Sequence, residues 1–100
     1  MKVPVKIVTK PMISSWAYEN KDIQIPIQYK INFKEKRFIV EALKECSTTD
    51  GGASFTIYYK VAEGNTLEEA VKKFMDELKK DENIKDIKFI DIDENCIKIS

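Results

Sequence analysis

Near the end of the chain, Asp91, Asp93 and Asn95 offer oxygen at alternate positions in the run Asp91-Ile92-Asp93-Glu94-Asn95, as the start of a calcium loop does. Such a loop then needs a glycine at its sixth position and a bidentate glutamate at its twelfth, and neither follows. The run reads as a solvated hairpin turn. Gly51-Gly52 lacks the surrounding GxxxxGK(S/T) or GxGxxG pattern of a phosphate cradle, so it reads as a turn between strands. Cys46 and Cys96 are far apart and outside any CxxC spacing. Two thiols cannot close a structural zinc site; they read as small buried or half-buried thiols in a reducing cytoplasm, with a disulfide tying the middle of the chain to its last strand as the lesser reading. The chain has no histidine. That removes the Ser-His-Asp and Cys-His nucleophile systems together with the commonest general base. Acids are plentiful, but no spacing singles out a pair for acid–base work. The expectation is a non-enzymatic protein with no catalytic residue, no metal and no cofactor.

Binding chemistry is the stronger signal. In DIQIPIQYKINF, Ile23, Ile25, Ile27, Tyr29, Ile31 and Phe33 alternate with Asp22, Gln24, Pro26, Gln28, Lys30 and Asn32. A period of two sends these sets to opposite faces of a strand, one buried and one wet. SFTIYYKV alternates likewise, with Phe55, Ile57, Tyr59 and Val61 read as the inner set and Thr56, Tyr58 and Lys60 as the outer one. If the wet faces align, Gln24, Gln28, Lys30, Thr56, Tyr58 and Lys60 share one surface. A tyrosine among lysines can stack on a base, although no RNP-type aromatic motif accompanies it. The same surface suits a protein partner. Trp16 and Tyr18, in the aperiodic stretch KPMISSWAYENK, either anchor a loop on the core or contribute contacts of their own.

The elements that must position these residues follow from period and punctuation. Val3, Val5 and Ile7 mark a first strand, with Pro4 pointing to an edge or a strand beginning. Pro26 cannot donate to a ladder, which places the long Ile23–Phe33 strand at a sheet edge or at a bulge. Its length allows it to pair with different neighbours along its course. After a turn at residues 34–36, RFIVEALKEC fits both a helical stripe and strand alternation. The β-branched residues at its front and the short connector behind it favour a strand. STTDGGA is the strongest turn cluster. Thr66-Leu67-Glu68-Glu69 is a capping box, and Leu67, Ala70, Val71, Phe74 and Leu78 form one stripe, so the spacing predicts a helix over 66–81. Lys79 and Lys80 are placed to suit its last turn. IKDIKFIDID and CIKIS then read as a closing hairpin around Glu94-Asn95.

The expected fold is therefore a single α+β domain spanning residues 1–100. It has a mostly antiparallel sheet of about five to six strands and one amphipathic helix on one face, in the order β-β-β-β-α-β-β. A chain of 100 residues suits one core without staples, and 43% hydrophobic with 34% charged residues is an ordinary globular balance. No apolar run approaches the length of a membrane span. Lysines interrupt the apolar start MKVPVKIVTKPM, against a signal peptide, so a cytoplasmic location is expected. The net charge is zero, which argues against a general binder of nucleic acid or anionic membranes. Yet residues 1–60 carry a net +4 and residues 61–100 a net −4. Heavy use of Lys and Ile often accompanies AT-rich genomes, whether bacterial, archaeal or phage, and a phage or other mobile element is the expected source of such a regulator.

EGNTLEEAVKKFMDEL resembles the helix opening of HicB-type antitoxins, where a G-(D/N)-T-x-x-E-A sequence follows a small antiparallel sheet. YKINFKEKRFIVEAL is similar to that family's first hairpin. The resemblance covers about a third of the chain and implies a helix on a sheet and an antitoxin-like regulator. The family's Pro-Gly segment before the helix is missing here, and an additional N-terminal strand and loop are present. The leading expectation is a protein-interaction module, such as an inhibitor or regulator, binding a protein partner or forming a homodimer through an exposed strand edge. A nucleic-acid-binding regulator is the first alternative. A nucleotide or small-ligand binder assembled as an oligomer is the second.

Overall fold

The computed structural model describes residues 1–10, 22–47 and 54–93. In chain order they form β1 (Lys2–Thr9), β2 (Ile23–Asn32), β3 (Arg37–Ser47), β4 (Ser54–Gly64), α1 (Leu67–Leu78) and β5 (Ile84–Asp91). Trp16, Tyr18, the Gly51-Gly52 turn, Cys96 and the second arm of the expected closing hairpin lie outside the described residues. The strands make one five-stranded antiparallel sheet in the order β4-β3-β2-β1-β5, with one helix, a small α+β fold.

The expectation that β2 lies at an edge is overturned: β2 is the middle strand. Pro26 is tolerated there because the strand changes neighbours beside it. Residues 23–26 are in register with β1, ending at Lys6 opposite Pro26, whereas Ile27 to Asn32 are in register with β3. Pro4 likewise sits in an interior strand, next to a shift of register between Pro4 and Lys6. The alternation on β2 holds, with Ile23, Ile25 and Ile27 buried and Gln24, Pro26 and Gln28 exposed. RFIVEALKEC is strand β3. Phe38, Val40 and Ala42 turn inward to face Ile31, Tyr29 and Ile27 across the ladder.

The β2–β3 hairpin closes through Asn32, whose side-chain oxygen accepts a hydrogen bond from the Glu35 amide at 3.1 Å. Lys36 takes a left-handed conformation, φ 54°. This is the role that glycine or asparagine fills more cheaply.

α1 begins where the capping box places it. Thr66 Oγ1 accepts from the Glu69 amide at 3.1 Å, and the Glu69 carboxylate accepts from the Asn65 amide at 3.4 Å. The expected apolar stripe is the buried face: Leu67, Ala70, Val71, Phe74 and Leu78. The helix stops at Leu78, short of the expected 81, and Lys79 caps it. The Lys80 and Asp81 amides then donate to the carbonyls of Glu77 and Leu78, a tighter turn that closes the helix. Lys79 and Lys80 therefore lie beyond the last helical turn. The chain crosses from β4 at one border of the sheet, through α1, to β5 at the other. The Lys10 amide donates to the Asn83 carbonyl at 2.8 Å on arrival.

Close contact between α1 and β4 depends on Gly64. A Cβ added there would stand 2.6 Å from the Ala70 backbone nitrogen and 3.0 Å from Glu69 Cβ. With Ala62 and Ala70 also on this contact, small residues let the helix lie directly on the strand.

Candidate functional site

The six residues expected to share a wet surface are split by the sheet. Gln24, Gln28 and Lys30 are exposed on the face of β2 opposite the helix, and Thr56 is also exposed. Lys6 Nζ donates to Gln24 Oε1 at 2.9 Å, and Lys30 Nζ pairs with Glu41 Oε1 at 3.1 Å, so the lysines there are engaged by neighbours. Tyr58 and Lys60 turn the other way. Tyr58 is 5% exposed, and Lys60 is in register with the buried Ala42.

The expected inner set of β4, Phe55, Ile57, Tyr59 and Val61, is thus corrected at Tyr59 and Val61, while Ile57 is partly buried against the core and the side chain of Phe55 lies outside the described residues. Tyr58, Ala62 and Gly64 face α1, while Tyr59 and Val61 are exposed. Two physical reasons account for the inversion. The register with β3 slips between Lys44 and Glu45, leaving Ile57 as an additional residue that resets the alternation. In addition, only the Ala62/Gly64 face is shallow enough to admit a helix.

Tyr58 therefore offers no ring face to a base. Burial pushes its phenol up from the ordinary value, and the Asp81 carboxylate pushes it further. The hydroxyl nonetheless makes no hydrogen bond of acceptable geometry among the described residues. Asp91, considered above as a metal ligand, pairs with the Met1 amino group at 2.9 Å. That positive neighbour holds its carboxyl below the usual range.

Among the described residues, β4 has a neighbouring strand on one side only. Its outer border runs beside α1, and between them lies a groove of about 560 Å³. One wall is the continuous stretch Tyr59 to Glu63, and the other carries Lys73, Asp76, Glu77 and Lys80. On the helix wall Lys73 and Lys80 balance Asp76 and Glu77 in sign, so that wall has no net preference for an acidic or a basic ligand. On the opposite face Tyr59 and Val61 are 52% and 40% exposed, in register with Leu43 and Glu41. Glu63 on that face accepts from Arg37 Nε at 3.3 Å.

A second, apolar groove of about 330 Å³ lies beside the start of α1, lined chiefly by Val3, Val5, Tyr29, Ile31, Leu67 and Ile90. The Tyr29 hydroxyl donates to the Pro4 carbonyl and so ties β2 to β1 along its floor. Burial pushes this phenol up as well.

Sequence reasoning missed the β4 border. SFTIYYKVAEG alternates acceptably in either phase, and its only distinguishing signal was the small pair Ala62 and Gly64. Fold and site together give a small α+β fold in which, among the described residues, β4 has a free border flanked by α1. No protein-family model, no curated protein and no solved structure matches the chain.

Proposed function

We propose that this chain is a non-enzymatic protein-binding domain that takes an extended strand of another polypeptide onto the β4 border. The observation that carries this reading is that, among the described residues, the border of β4 beside α1 has no further strand on it, with Tyr59 and Val61 exposed on the flanking face. A bare border presents unpaired N–H and C=O groups in a row, and an added strand satisfies them while its alternate side chains meet the two flanking faces. The helix wall gives the incoming strand a second surface, and the balanced signs on that wall disfavour a highly charged partner such as nucleic acid. The paired state of Lys6 and Lys30 on the open face points the same way.

A substitution at Val61 tests this. Its side chain is exposed, so Val61→Lys leaves the fold intact while setting a charge on the flanking face. The wild-type chain used as bait in an extract of its native host is expected to retain a protein that the Val61→Lys chain does not. Equal retention by both would remove β4 from the binding surface.

A further inference from the structure

Resting on the β4 reading, we infer that the strand taken onto this border is β4 of a second copy of the chain, antiparallel, with Val61 on the two-fold axis. The slip at Ile57 and the end of the strand at Gly64 leave one regular stretch, Tyr58 to Gly64, and Val61 is its centre. An antiparallel pairing of identical strands in one continuous sheet has its two-fold perpendicular to the sheet. Opposed residues must then point to the same face, which restricts the allowed registers to those centred on a residue.

Centring on Lys60 would set two lysines directly opposite, a destabilising pair. Centring on Tyr59 would carry the ladder into the slip at Ile57 and leave the Ala62–Gly64 end unmatched. Centring on Val61 uses all of the regular stretch and opposes no like charges. Val61 meets Val61, and Lys60 meets Ala62. Tyr58 meets Gly64, and Tyr59 meets Glu63.

Charge and polarity complement each other in this register. On the open face, each Tyr59 hydroxyl comes within reach of the other copy's Glu63 carboxylate, beside the Arg37 that already holds it. Val61 of both copies, 40% exposed in one copy alone, becomes the apolar centre. On the helix face the two grooves meet. Each Lys60, which makes no ion pair among the described residues, is delivered to a groove whose helix wall carries Asp76 and Glu77. A helix wall of balanced sign suits a second copy of the chain better than it suits an acidic or a basic peptide.

Light scattering across a wide range of protein concentration is the test, read alongside two substitutions. The wild-type chain is expected to be a dimer that dissociates on dilution. Val61→Lys places like charges on the axis and is expected to weaken the dimer by roughly tenfold or more while the melting temperature of the monomer is unchanged. In a chain carrying Cys46→Ser and Cys96→Ser, Val61→Cys is expected to form an intermolecular disulfide under mild oxidation, because the two side chains face each other. Tyr59→Cys, displaced along the ladder from its own copy, is expected not to.

A wild-type chain that is monomeric at every concentration overturns the self-pairing. The strand-binding reading then stands or falls separately, on whether Val61→Lys abolishes retention of a host protein. A dimer that survives Val61→Lys and gives no Val61→Cys disulfide overturns it as well.

Discussion

Among the described residues β4 and β5 both border the sheet, yet they are protected to different degrees. β5 runs for 8 residues, its ladder with β1 shifts register twice, and Lys85, Asp86, Lys88 and Asp91 punctuate it. Lys85 reaches Asp22 at 2.9 Å and Lys88 reaches Asp86 at 2.8 Å, so ionic groups cluster along that side. Phe89 and Ile90 are exposed on it, but within this charged and irregular setting. β4 runs for 11 residues and is regular from Tyr58 onward. It carries no proline, one lysine at its centre, and a helix alongside. Charges and irregular registers are the devices by which sheets discourage further pairing. Their concentration on β5 and scarcity on β4 make β4 the better suited of the two to the strand pairing proposed above. A helix can also prepare a strand border, and here α1 backs β4 and holds its regular stretch in place.

Changes that weaken this backing are expected to matter most, and changes at β5 least. Phe74 is fully buried between α1 and the sheet. Phe74→Ala is expected to cost about 4 kcal/mol in urea unfolding and to abolish assembly through β4 with it. Gly64→Ala forces a Cβ against the Ala70 backbone, which no side-chain rotation relieves. A loss of about 2 kcal/mol is expected, and an unchanged midpoint would mean that the helix does not lie as close to β4 as described. Removing the cap oxygen with Thr66→Ala should cost about 1 kcal/mol, with the loss of helix seen by circular dichroism. At the other border, Lys85→Ala removes an exposed ion pair and should shift stability by less than about 0.5 kcal/mol, with no effect on assembly. A large effect there would break the contrast between the borders.

The smallest effect is one of pH. Lys73, and then the Asn65 amide, hold the exposed Glu69 carboxyl below its ordinary value of 4.5. A group whose pKa is depressed on folding contributes stability above its unfolded pKa and loses it as pH falls through the folded one. The melting temperature should therefore decline on the acid side of that value, and Glu69→Gln should flatten this limb slightly. Asp86 and Asp91, also depressed by positive neighbours, act in the same direction and will leave part of the decline in place.

Local features of the chain were legible wherever one reading of the pattern dominated. The capping box at Thr66 and the stripe from Leu67 to Leu78 set the start and inner face of α1, because both depend on residues within a few positions of one another. The alternation from Ile23 onward set the inner face of β2 for the same reason. Lys36 gave no warning of its left-handed backbone, since the hairpin geometry around it imposes that conformation.

By itself, then, the sequence determined an α+β chain, one capped helix, antiparallel strands and the lack of histidine chemistry. Each of these follows from residue identity and short-range spacing. Only the tertiary structure decided that β2 is central rather than a border, because strand order depends on which neighbours pair across long stretches of chain and Pro26 is compatible with a change of neighbour. It alone decided the phase of β4 as well. Tyr58 and Tyr59 are equally apt for either face, and the choice fell to a slip in register and to a helix that can approach only over Ala62 and Gly64.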